Sequence, residues 1–328
     1  MIKLPERVSL AHLPTPLEPL HRLSQEYGTN IYVKRDDYTG SEISGNKVRK
    51  LEFAVAEALK QGADMLITCG GLQSNHARAT AVAAAKVGIK SCLILRGSEQ
   101  EQPDGNYLLD ILLGAQIKFV TPEQYRSEIN TIFQETKSEL EKEGYKPYII
   151  PEGASNGIGT FGYAAAIEEL TRQEEEFGFT FNKIVVAVGS GGTYAGLLLG
   201  TKLHDQEREI YGVNVCDDAE YFTSRIEKTL ADAQGYLAEK VQIARREIRI
   251  IDGYVGPGYG LNNPEHLDVI KKIAQLEGLI LDPVYTVKAM TGLLAELEKG
   301  QYFTARDKVL FIHTGGHFGL FPVRDRFL

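Results

Sequence analysis

Short apolar runs alternate with longer amphipathic segments along most of this 328-residue chain, and no other feature restricts its fold as strongly. Such alternation is typical of parallel β-sheets covered by α-helices. The predicted strands span residues 31–35, 65–69, 91–95, 116–120, 148–150, 183–188, 209–215 and 308–313. The predicted helices span residues 49–61, 75–87, 106–113, 125–143, 158–177, 193–203, 221–237, 264–277 and 287–299. We therefore expect an α/β protein with two lobes, whose ligand-binding groups lie at the carboxyl ends of strands.

The composition excludes several classes of protein. A formal net charge of −8 without a long basic run argues against a nucleic-acid-binding surface. No apolar run approaches the length of a membrane-spanning helix, and prolines and charges occupy residues 1–19, where a signal peptide would be apolar. Cys69, Cys92 and Cys216 are odd in number, lie far apart and form no CxxC pair. These features predict a soluble cytoplasmic protein whose cysteines stay reduced.

A glycine-rich segment follows the predicted strand 183–188 and precedes a predicted helix. Its residues are Gly189, Ser190, Gly191, Gly192 and Thr193. Backbone N–H groups in such a turn can converge on an anion, with the positive end of the helix dipole behind them. The segment alone also fits a structural turn, or a dinucleotide-binding turn whose acidic partner would be Asp217 or Asp218. A phosphate loop and these two alternatives therefore stay open at this point.

Lys47 lies where the loop of Ser44, Gly45 and Asn46 meets a predicted helix. Lysines at such positions usually face water, but this one would also be able to point into a cleft. There, an amine with a lowered pKa forms a Schiff base with an aldehyde cofactor. Lys50 projects from the same face of the helix. We expect a second cation there to bind a phosphate and to lower the pKa of Lys47.

Gln73, Ser74, Asn75 and His76 connect a predicted strand to a predicted helix. Ser74 fits the N-cap of that helix, and the free N–H groups of the helix end also form a site for a carboxylate. Asn75 is placed to hydrogen-bond an oxygen on a ring. Burial at a helix start would lower the pKa of His76, which predicts a neutral imidazole.

Two tyrosines and two histidines complete the set of candidate residues. Tyr259 lies in a loop rich in glycine and proline, and Tyr285 directly precedes a predicted helix. The alternative for both tyrosines is ordinary packing with the hydroxyl group at the surface. His313 and His317 have the H-x₃-H spacing of a zinc site, but the two glycines between them disfavour a helix and no third ligand is evident. We therefore expect no metal site.

Five motifs occur in a fixed order along the chain: N-K-x-R-K-L-E-F, Q-S-N-H, G-P-G-Y-G, L-D-P-V-Y-T-x-K-A-M and H-T-G-G. With them, the chain resembles nearly end to end the D-cysteine desulfhydrase and 1-aminocyclopropane-1-carboxylate (ACC) deaminase family. These are fold-type II enzymes, similar to the tryptophan synthase β-subunit, that use pyridoxal 5'-phosphate (PLP). The resemblance implies a large PLP-binding domain of residues 1–50 and 159–328, a small α/β domain of residues 51–158, and the cofactor in the cleft between them.

The resemblance also implies roles for the candidate residues at the cofactor. Lys47 would be the Schiff-base lysine and the base that moves the Cα proton of the substrate. Lys50 and the glycine-rich loop 189–193 would hold the phosphate, and Asn75 would hydrogen-bond the ring oxygen.

On the substrate side, the resemblance places Ser74 against the substrate carboxylate and Tyr259 and Tyr285 on the substrate face. The substrate would be a small amino acid. By the same resemblance alone, the protein would be a homodimer.

Thr286 and Thr314 restrict the type of reaction that the resemblance implies. Deaminases that open the cyclopropane ring resemble this pattern with Glu and Leu at these two places. A carboxylate keeps the pyridine nitrogen protonated and the ring strongly electron-withdrawing, whereas a hydroxyl does so less well. The pattern therefore favours β-elimination, in which a good leaving group departs as the Cα proton is removed. D-Cysteine giving pyruvate, ammonia and sulfide is the typical reaction of this kind in the family.

Three departures from the family pattern leave the substrate open. Ser44 replaces a frequent glycine, Asp217 and Asp218 follow a strand that often ends in Ser-Arg, and His317 follows the Gly-Gly turn where small residues are common. Our hypothesis is that Asp217 or Asp218 makes the pocket unfavourable for a second anionic group, such as the sulfonate of L-cysteate. His317 would offset that charge.

The alternatives that remain are another PLP lyase or racemase, a catalytically inactive PLP-binding protein and a nucleotide-binding protein. The first would act on D-serine, β-chloroalanine, cysteate, diaminopropionate or ACC. The last would use the glycine-rich loop for NAD, and it leaves Lys47, Asn75 and both tyrosine segments without a role.

Overall fold

The fold is given by a computed structural model that describes residues 3–328, so that Met1 and Ile2, part of the stretch considered for a signal peptide, lie outside the described residues. The strands are β1 (Leu17–Pro19), β2 (Asn30–Lys34), β3 (Met65–Gly71), β4 (Lys90–Arg96), β5 (Gln116–Val120), β6 (Pro147–Ile149), β7 (Lys183–Val188), β8 (Glu209–Asn214), β9 (Arg249–Ile251) and β10 (Lys308–Ile312). The helices are α1 (His21–Tyr27), α2 (Lys47–Lys60), α3 (Asn75–Lys86), α4 (Gly105–Leu112), α5 (Pro122–Ser127), α6 (Ile129–Lys142), α7 (Gly157–Phe177), α8 (Gly192–Leu203), α9 (Ala219–Ala233), α10 (Pro264–Glu277) and α11 (Thr286–Lys299).

Two separate sheets organise these elements. The larger has the strand order β1-β2-β10-β7-β8-β9, and the smaller has the order β5-β4-β3-β6. All pairings are parallel except β1 with β2. Parallel strands require crossover helices on the sheet faces, which explains the long apolar runs of the central strands. The α/β fold with two parallel-type sheets is confirmed, whereas the division into domains at residues 50 and 158 stays a prediction.

Most predicted elements occur within a few residues of their predicted bounds, and one is wrong. The helix predicted over residues 125–143 is two helices, α5 and α6, which meet at Glu128 with φ −123° and ψ 1°. Helix α5 begins earlier than predicted because Pro122 and a reciprocal capping box between Thr121 and Gln124 start it. The short elements β1, α1 and β9 were not predicted, since strands of three residues and a helix of seven carry little periodic signal.

Helix α2 is held by a buried ion network on the side away from the cleft. Nε and Nη2 of Arg49 donate to the two carboxylate oxygens of Asp36, at 2.9 and 2.8 Å. Its Nη1 donates to Glu169 of α7 at 2.9 Å. Lys34 of β2 donates to the same glutamate at 2.5 Å, and Tyr163 donates its hydroxyl to Asp36. Every charge in this network is paired, so burial is tolerated and the rotation of α2 is fixed.

Helices α2 and α7 also approach each other closely at Gly162. A Cβ atom at this position would overlap the backbone of Arg49 and Lys50. Such close packing of backbones needs a residue without a side chain. Within residues 3–328, no helix combines the length and the apolar character that crossing a bilayer requires.

We expect the substitution Gly162→Ala to lower the free energy of unfolding by about 1–3 kcal/mol, because the new methyl group forces α2 and α7 apart. Thermal or urea unfolding followed by circular dichroism measures this change. Gly235→Ala is the matched control, since a Cβ atom there meets nothing within 4 Å. Equal stabilities of the two variants would contradict the packing argument.

Candidate active site

One pocket lies at the carboxyl ends of β3 and β7, between the two sheets, and the first residue of α2 reaches it. Ten of the predicted site residues line it: Lys47, Ser74, Asn75, Gly189, Ser190, Gly191, Thr193, Tyr259, Tyr285 and Thr314. Three do not, namely Lys50, Gly192 and Thr286. The chain segments that supply the wall are spread over residues 46–314, so only the fold brings them together.

The glycine-rich loop forms a polar cradle with a serine that the sequence reasoning missed. Ser155 Oγ accepts a hydrogen bond from the backbone N–H of Gly192 at 3.1 Å and lies 2.8 Å from Ser190 Oγ. Gly191 has φ +86°, a left-handed conformation that favours glycine. Asn46 donates to Thr193 Oγ1 at 2.9 Å and so joins the start of α2 to this loop. A hydroxyl residue between strand β6 and helix α7 was the available signal for Ser155.

Lys50 places a buried positive charge beneath the cradle. Its Nζ donates to Ser155 Oγ at 3.3 Å, and among the described residues it forms no ion pair with a carboxylate. Burial, and then the neighbouring charges of Lys47 and Arg225, lower the pKa of Lys50 well below its ordinary value. A buried cation without a protein counterion is costly. Together with the glycine-rich loop, this arrangement fits a phosphate group.

Lys47 is half-buried at the first turn of α2, and its amine points toward Gly153, where a Cβ atom would come within 3.2 Å of its Nζ. Burial lowers the pKa of Lys47 to about 8, while the charge of Glu152 opposes the change and that of Arg225 adds to it. A substantial fraction of the amine is therefore unprotonated near neutral pH. That is the state in which a lysine attacks an aldehyde.

The orientation of the Asn75 amide follows from a chain of hydrogen bonds. Arg78, which has only donors, gives Nε to Asn106 Oδ1 at 2.7 Å. Asn106 Nδ2 must therefore be the group that donates to Asn75 Oδ1, at 3.0 Å, and to the carbonyl of Gln73, at 3.0 Å. The Nδ2 group of Asn75 remains available to the pocket. Asn75 thus presents a donor, as an oxygen on a cofactor ring requires.

The start of α3 offers further donors to a carboxylate. Ser74 caps the helix, its Oγ accepting from the N–H of Ala77 at 3.1 Å. His76 Nε2 donates to Thr68 Oγ1 at 2.8 Å, because the single proton of that hydroxyl goes to Ile150. Burial, followed by the charges of Lys47 and Lys50, lowers the pKa of His76 well below its ordinary value. The imidazole is neutral, as the sequence predicted.

Tyr259 and Tyr285 meet through their hydroxyl groups, 2.5 Å apart, although they lie in different loops. Lys288 of α11 holds the loop of Tyr259 by donating to the carbonyls of Gly258, at 2.6 Å, and Val215, at 3.1 Å. Burial, and then the neighbouring Tyr259, raise the pKa of Tyr285 well above its ordinary value. One phenol donates to the other, so the pair has one hydroxyl proton left to donate on this side of the pocket.

The two threonines occupy different positions relative to the wall. Thr314 lines the pocket, and its backbone carbonyl accepts from the N–H of Asn46 at 3.1 Å. Thr286 is fully buried behind the wall, where its hydroxyl donates to Asp282 Oδ1 at 2.7 Å. Asp282 also accepts from the N–H groups at the start of α11.

The aspartates that were predicted to shape specificity do not line the pocket. Asp218 is the N-cap of α9, accepting from the N–H of Tyr221 at 2.8 Å, and Asp217 is exposed. Their carboxylates are therefore not the charges that a ligand in this pocket would meet first. The acid on the wall is Glu152, which the sequence reasoning missed.

Asp37 lies beside the histidine pair, so that the three side chains offer ligand atoms within 4.8 Å of one another. The sequence did not reveal this third potential metal ligand. Hydrogen bonds already use these groups. The Nε2 atoms of both histidines lie within 2.9 Å of the carbonyl oxygen of Ile280, and Nδ1 of His313 accepts from the N–H of Gly315. Asp37 binds the Arg35 guanidinium through both of its oxygens. The cluster thus fits a hydrogen-bonded turn.

The fold and this pocket define a class of protein. The family model described as "Pyridoxal-phosphate dependent enzyme" matches residues 8–315, so the chain belongs to that family and uses PLP as its cofactor. The residues present fit this group: a cradle with a buried lysine for a phosphate, a lysine amine of lowered pKa for an aldehyde, and an amide donor for a ring oxygen.

Within this family, the chain groups with D-cysteine desulfhydrases and ACC deaminases. It is 46% identical over 98% of its length to a putative ACC deaminase of Thermotoga maritima, covering 99% of that protein. It is 44% identical over 97% of its length to the mitochondrial bifunctional D-cysteine desulfhydrase/ACC deaminase of Arabidopsis thaliana, covering 80% of that protein. The crystal structure of an ACC deaminase homologue has a TM-score of 0.89 at 41% identity, covering 99% of this chain and 96% of that chain. The chain is a PLP-dependent lyase.

The substitution Asn106→Asp tests the amide chain. We expect it to weaken PLP binding about tenfold, because a carboxylate cannot donate to Asn75, whose amide then turns and presents its oxygen to the cofactor. Titration of the apoenzyme with PLP, followed by visible absorbance, measures the affinity. Asn106→Ala removes the donor without adding a charge and should have a smaller effect. Unchanged affinity in a normally folded Asn106→Asp protein would contradict the proposed orientation.

The lowered pKa of Lys47 predicts how the rate of PLP capture depends on pH. The unprotonated amine is the nucleophile, so the rate should rise from pH 7 to pH 9 with a midpoint near the pKa of about 8. Stopped-flow absorbance of apoenzyme mixed with PLP measures it. Lys47→Arg, which stays protonated, should show no covalent capture at any of these pH values. A midpoint near the ordinary lysine pKa, 10.5, would show that Lys47 is not the desolvated amine described here.

Proposed function

We propose that this protein catalyses PLP-dependent β-elimination on a small amino acid, with D-cysteine as the substrate. One D-cysteine and one water give one pyruvate, one ammonia and one hydrogen sulfide. The observation that carries this proposal is that the described wall around Thr314 and Tyr285 offers hydroxyl groups, whereas a carboxylate would be needed to keep the pyridine nitrogen protonated. The carboxylate of Asp282 lies behind Thr286 and accepts hydrogen bonds from the Thr286 hydroxyl and from the start of α11.

Binding of the substrate carboxylate is assigned to the start of α3. The Ser74 hydroxyl can donate to it, since that oxygen only accepts from Ala77 within the protein. The positive end of the α3 dipole adds to this attraction. The neutral His76 beside this site adds no competing charge. These contacts would fix the Cα–H bond of the substrate relative to Lys47.

Lys47 is assigned the proton transfer at Cα. PLP supplies an electron sink for the electron pair of that bond when it is bound. The Nζ of Lys47 takes the proton in its unprotonated form, for which a pKa of about 8 is well suited. Asn46, the residue before Lys47, donates to Thr193 Oγ1 and so fixes the start of α2, and with it the base of the Lys47 side chain, against the glycine-rich loop.

The departing sulfur is assigned to the side of the pocket that carries Tyr259 and Tyr285. Their hydroxyl groups lie within 2.5 Å of each other, so the pair can share one proton while donating the other to a thiolate. The raised pKa of Tyr285 keeps its hydroxyl group protonated, so the pair remains a hydrogen-bond donor toward the departing sulfur. The carbon–sulfur bond breaks, and its electron pair leaves with the sulfur.

ACC deamination is the second candidate, supported by the names of the relatives and opposed by the two threonines. Lyases that act on L-cysteate, D-serine or diaminopropionate also begin by removing the Cα proton. These three amino acids are therefore alternative substrates. An inactive PLP-binding protein is disfavoured because Lys47, Ser74 and both tyrosines converge on one pocket.

Three further properties belong to this proposal through the resemblance alone: a cytoplasmic location, a homodimer and the domain division at residues 50 and 158. Light scattering would measure the oligomeric state.

The first experiment is to add D-cysteine to the purified PLP-loaded protein and to quantify sulfide and pyruvate. We expect equal amounts of both. Lys47→Ala should lower the rate by about 10³-fold or more and should retain no PLP after borohydride reduction, because the amine that holds the cofactor and moves the proton is gone. ACC and L-cysteate are assayed in parallel. The proposal fails if the wild-type protein is yellow yet releases no sulfide, or if Lys47→Ala releases it at the wild-type rate.

A further inference from the structure

Glu152 provides the single carboxylate on the described wall of the active-site pocket, and none of the roles assigned above uses it. It follows strand β6 and directly precedes Gly153, which packs against Lys47 and Ser190. Its Oε1 accepts the hydroxyl proton of Tyr125 at 2.6 Å, and its Oε2 lies 3.5 Å from Arg225. The side chain is still 42% exposed. A carboxylate with one short hydrogen bond, one long ion pair and free surface is accessible to a ligand.

The contacts of Glu152 place it on the substrate side of the pocket. The guanidinium of Arg96 lies 5.1 Å from the ring centre of Tyr125 and 5.4 Å from that of Tyr259. Glu152 therefore connects through Tyr125 and Arg96 to the tyrosine pair assigned to the departing group. The cradle assigned to the phosphate is built from other groups, the hydroxyls of Ser155 and Ser190.

The charge of Glu152 is effective across the pocket. Burial lowers the pKa of Lys47, and the Glu152 charge opposes that change, which shows that its field reaches the amine. The opposite charges of Arg225 and Arg96 do not line the pocket: Arg225 donates to Tyr221 at 2.8 Å from outside the wall, and Arg96 is stacked on the two rings. Apart from Lys47, which is assigned to the cofactor and the Cα proton, Glu152 is therefore the one formally charged side chain on the described wall.

We propose that Glu152 is the residue that determines the class of substrate, admitting amino acids with an uncharged side chain and rejecting those with a second carboxylate or a sulfonate. This inference rests on the proposed function, because it requires an amino acid bound with its side chain toward Tyr259. A like charge in a poorly solvated pocket disfavours the acidic ligand, whereas a thiol or an amide is not repelled. The specificity that the sequence led us to assign to Asp217 or Asp218 is thus moved to Glu152.

The test compares ligands and variants of equal shape that differ by one charge. Asparagine and aspartate of the same enantiomer are titrated into the PLP-loaded protein, and calorimetry gives their affinities. Glu152→Gln keeps an acceptor for Tyr125 but removes the charge. We expect the wild type to favour asparagine and Glu152→Gln to shift the ratio of affinities toward aspartate about tenfold. The kcat/KM values for D-cysteine and L-cysteate should likewise change in favour of the acidic substrate, L-cysteate.

Two control variants show whether position matters. Glu57 accepts the hydroxyl proton of Tyr148 at 2.6 Å, the same contact that Glu152 makes, but it does not line the pocket. Asp217 has φ +47°, a conformation that asparagine tolerates. We expect Glu57→Gln and Asp217→Asn to leave both ratios unchanged.

The results of these experiments distinguish the proposed role of Glu152 from the proposed elimination reaction. An unchanged ratio in Glu152→Gln, a shift in Asp217→Asn instead, or a wild type that binds aspartate at least as tightly as asparagine overturns the role of Glu152, even if D-cysteine is turned over. A shift confined to Glu152→Gln supports that role, even if D-cysteine proves inert and the proposed reaction fails.

Discussion

The paired charges around Arg49 are the interaction on which the active-site geometry depends. Arg49 binds Asp36 and Glu169, which belong to segments on either side of α2, and all three side chains are largely buried. A broken pair here would leave an uncompensated buried charge, a cost of several kcal/mol, so α2 has one favourable rotation. In that rotation Arg49 points to its acidic partners, Lys47, two residues earlier, lines the pocket, and Lys50, one residue later, reaches Ser155 of the cradle. The ion network thus orients both lysines toward the ligand site without itself contacting the ligand.

The cleft concentrates positive charge in an otherwise acidic protein. The chain carries a formal net charge of −8, yet Lys47, Lys50 and Arg225 converge near the glycine-rich loop. Burial, followed by repulsion from neighbouring cations, lowers the pKa values of both lysines, which costs stability in the absence of an anion. A phosphate relieves this repulsion, so binding of the cofactor and stability of the cleft are coupled. Local groups, not the overall charge, decide which ligand is bound.

Specificity and chemistry use different parts of the same pocket. The start of α3 and the amide of Asn75 supply donors that any amino acid bound to PLP would need. In the proposed reaction, the tyrosine pair and Glu152 would meet the part in which amino acids differ, the side chain. Thr314 on the wall, with Thr286 and Asp282 behind it, would set how strongly the cofactor withdraws electrons. One fold can therefore serve elimination or ring opening through a few substitutions around a constant core.

The sequence by itself determined the α/β class, the order and approximate bounds of most elements, and ten of the residues that line the pocket. These predictions succeed because hydrophobic periodicity and the residues that form turns are local features of the sequence. In addition, the motifs place reactive side chains at strand ends. Only the tertiary structure decided that Ser155 completes the cradle, that Asn106 orients Asn75, and that Thr286 lies behind the wall. It also replaced Asp217 and Asp218 with Glu152 as the acid that faces a ligand. Which side chains meet across a cleft depends on the packing of segments far apart in the chain, and no local pattern records it.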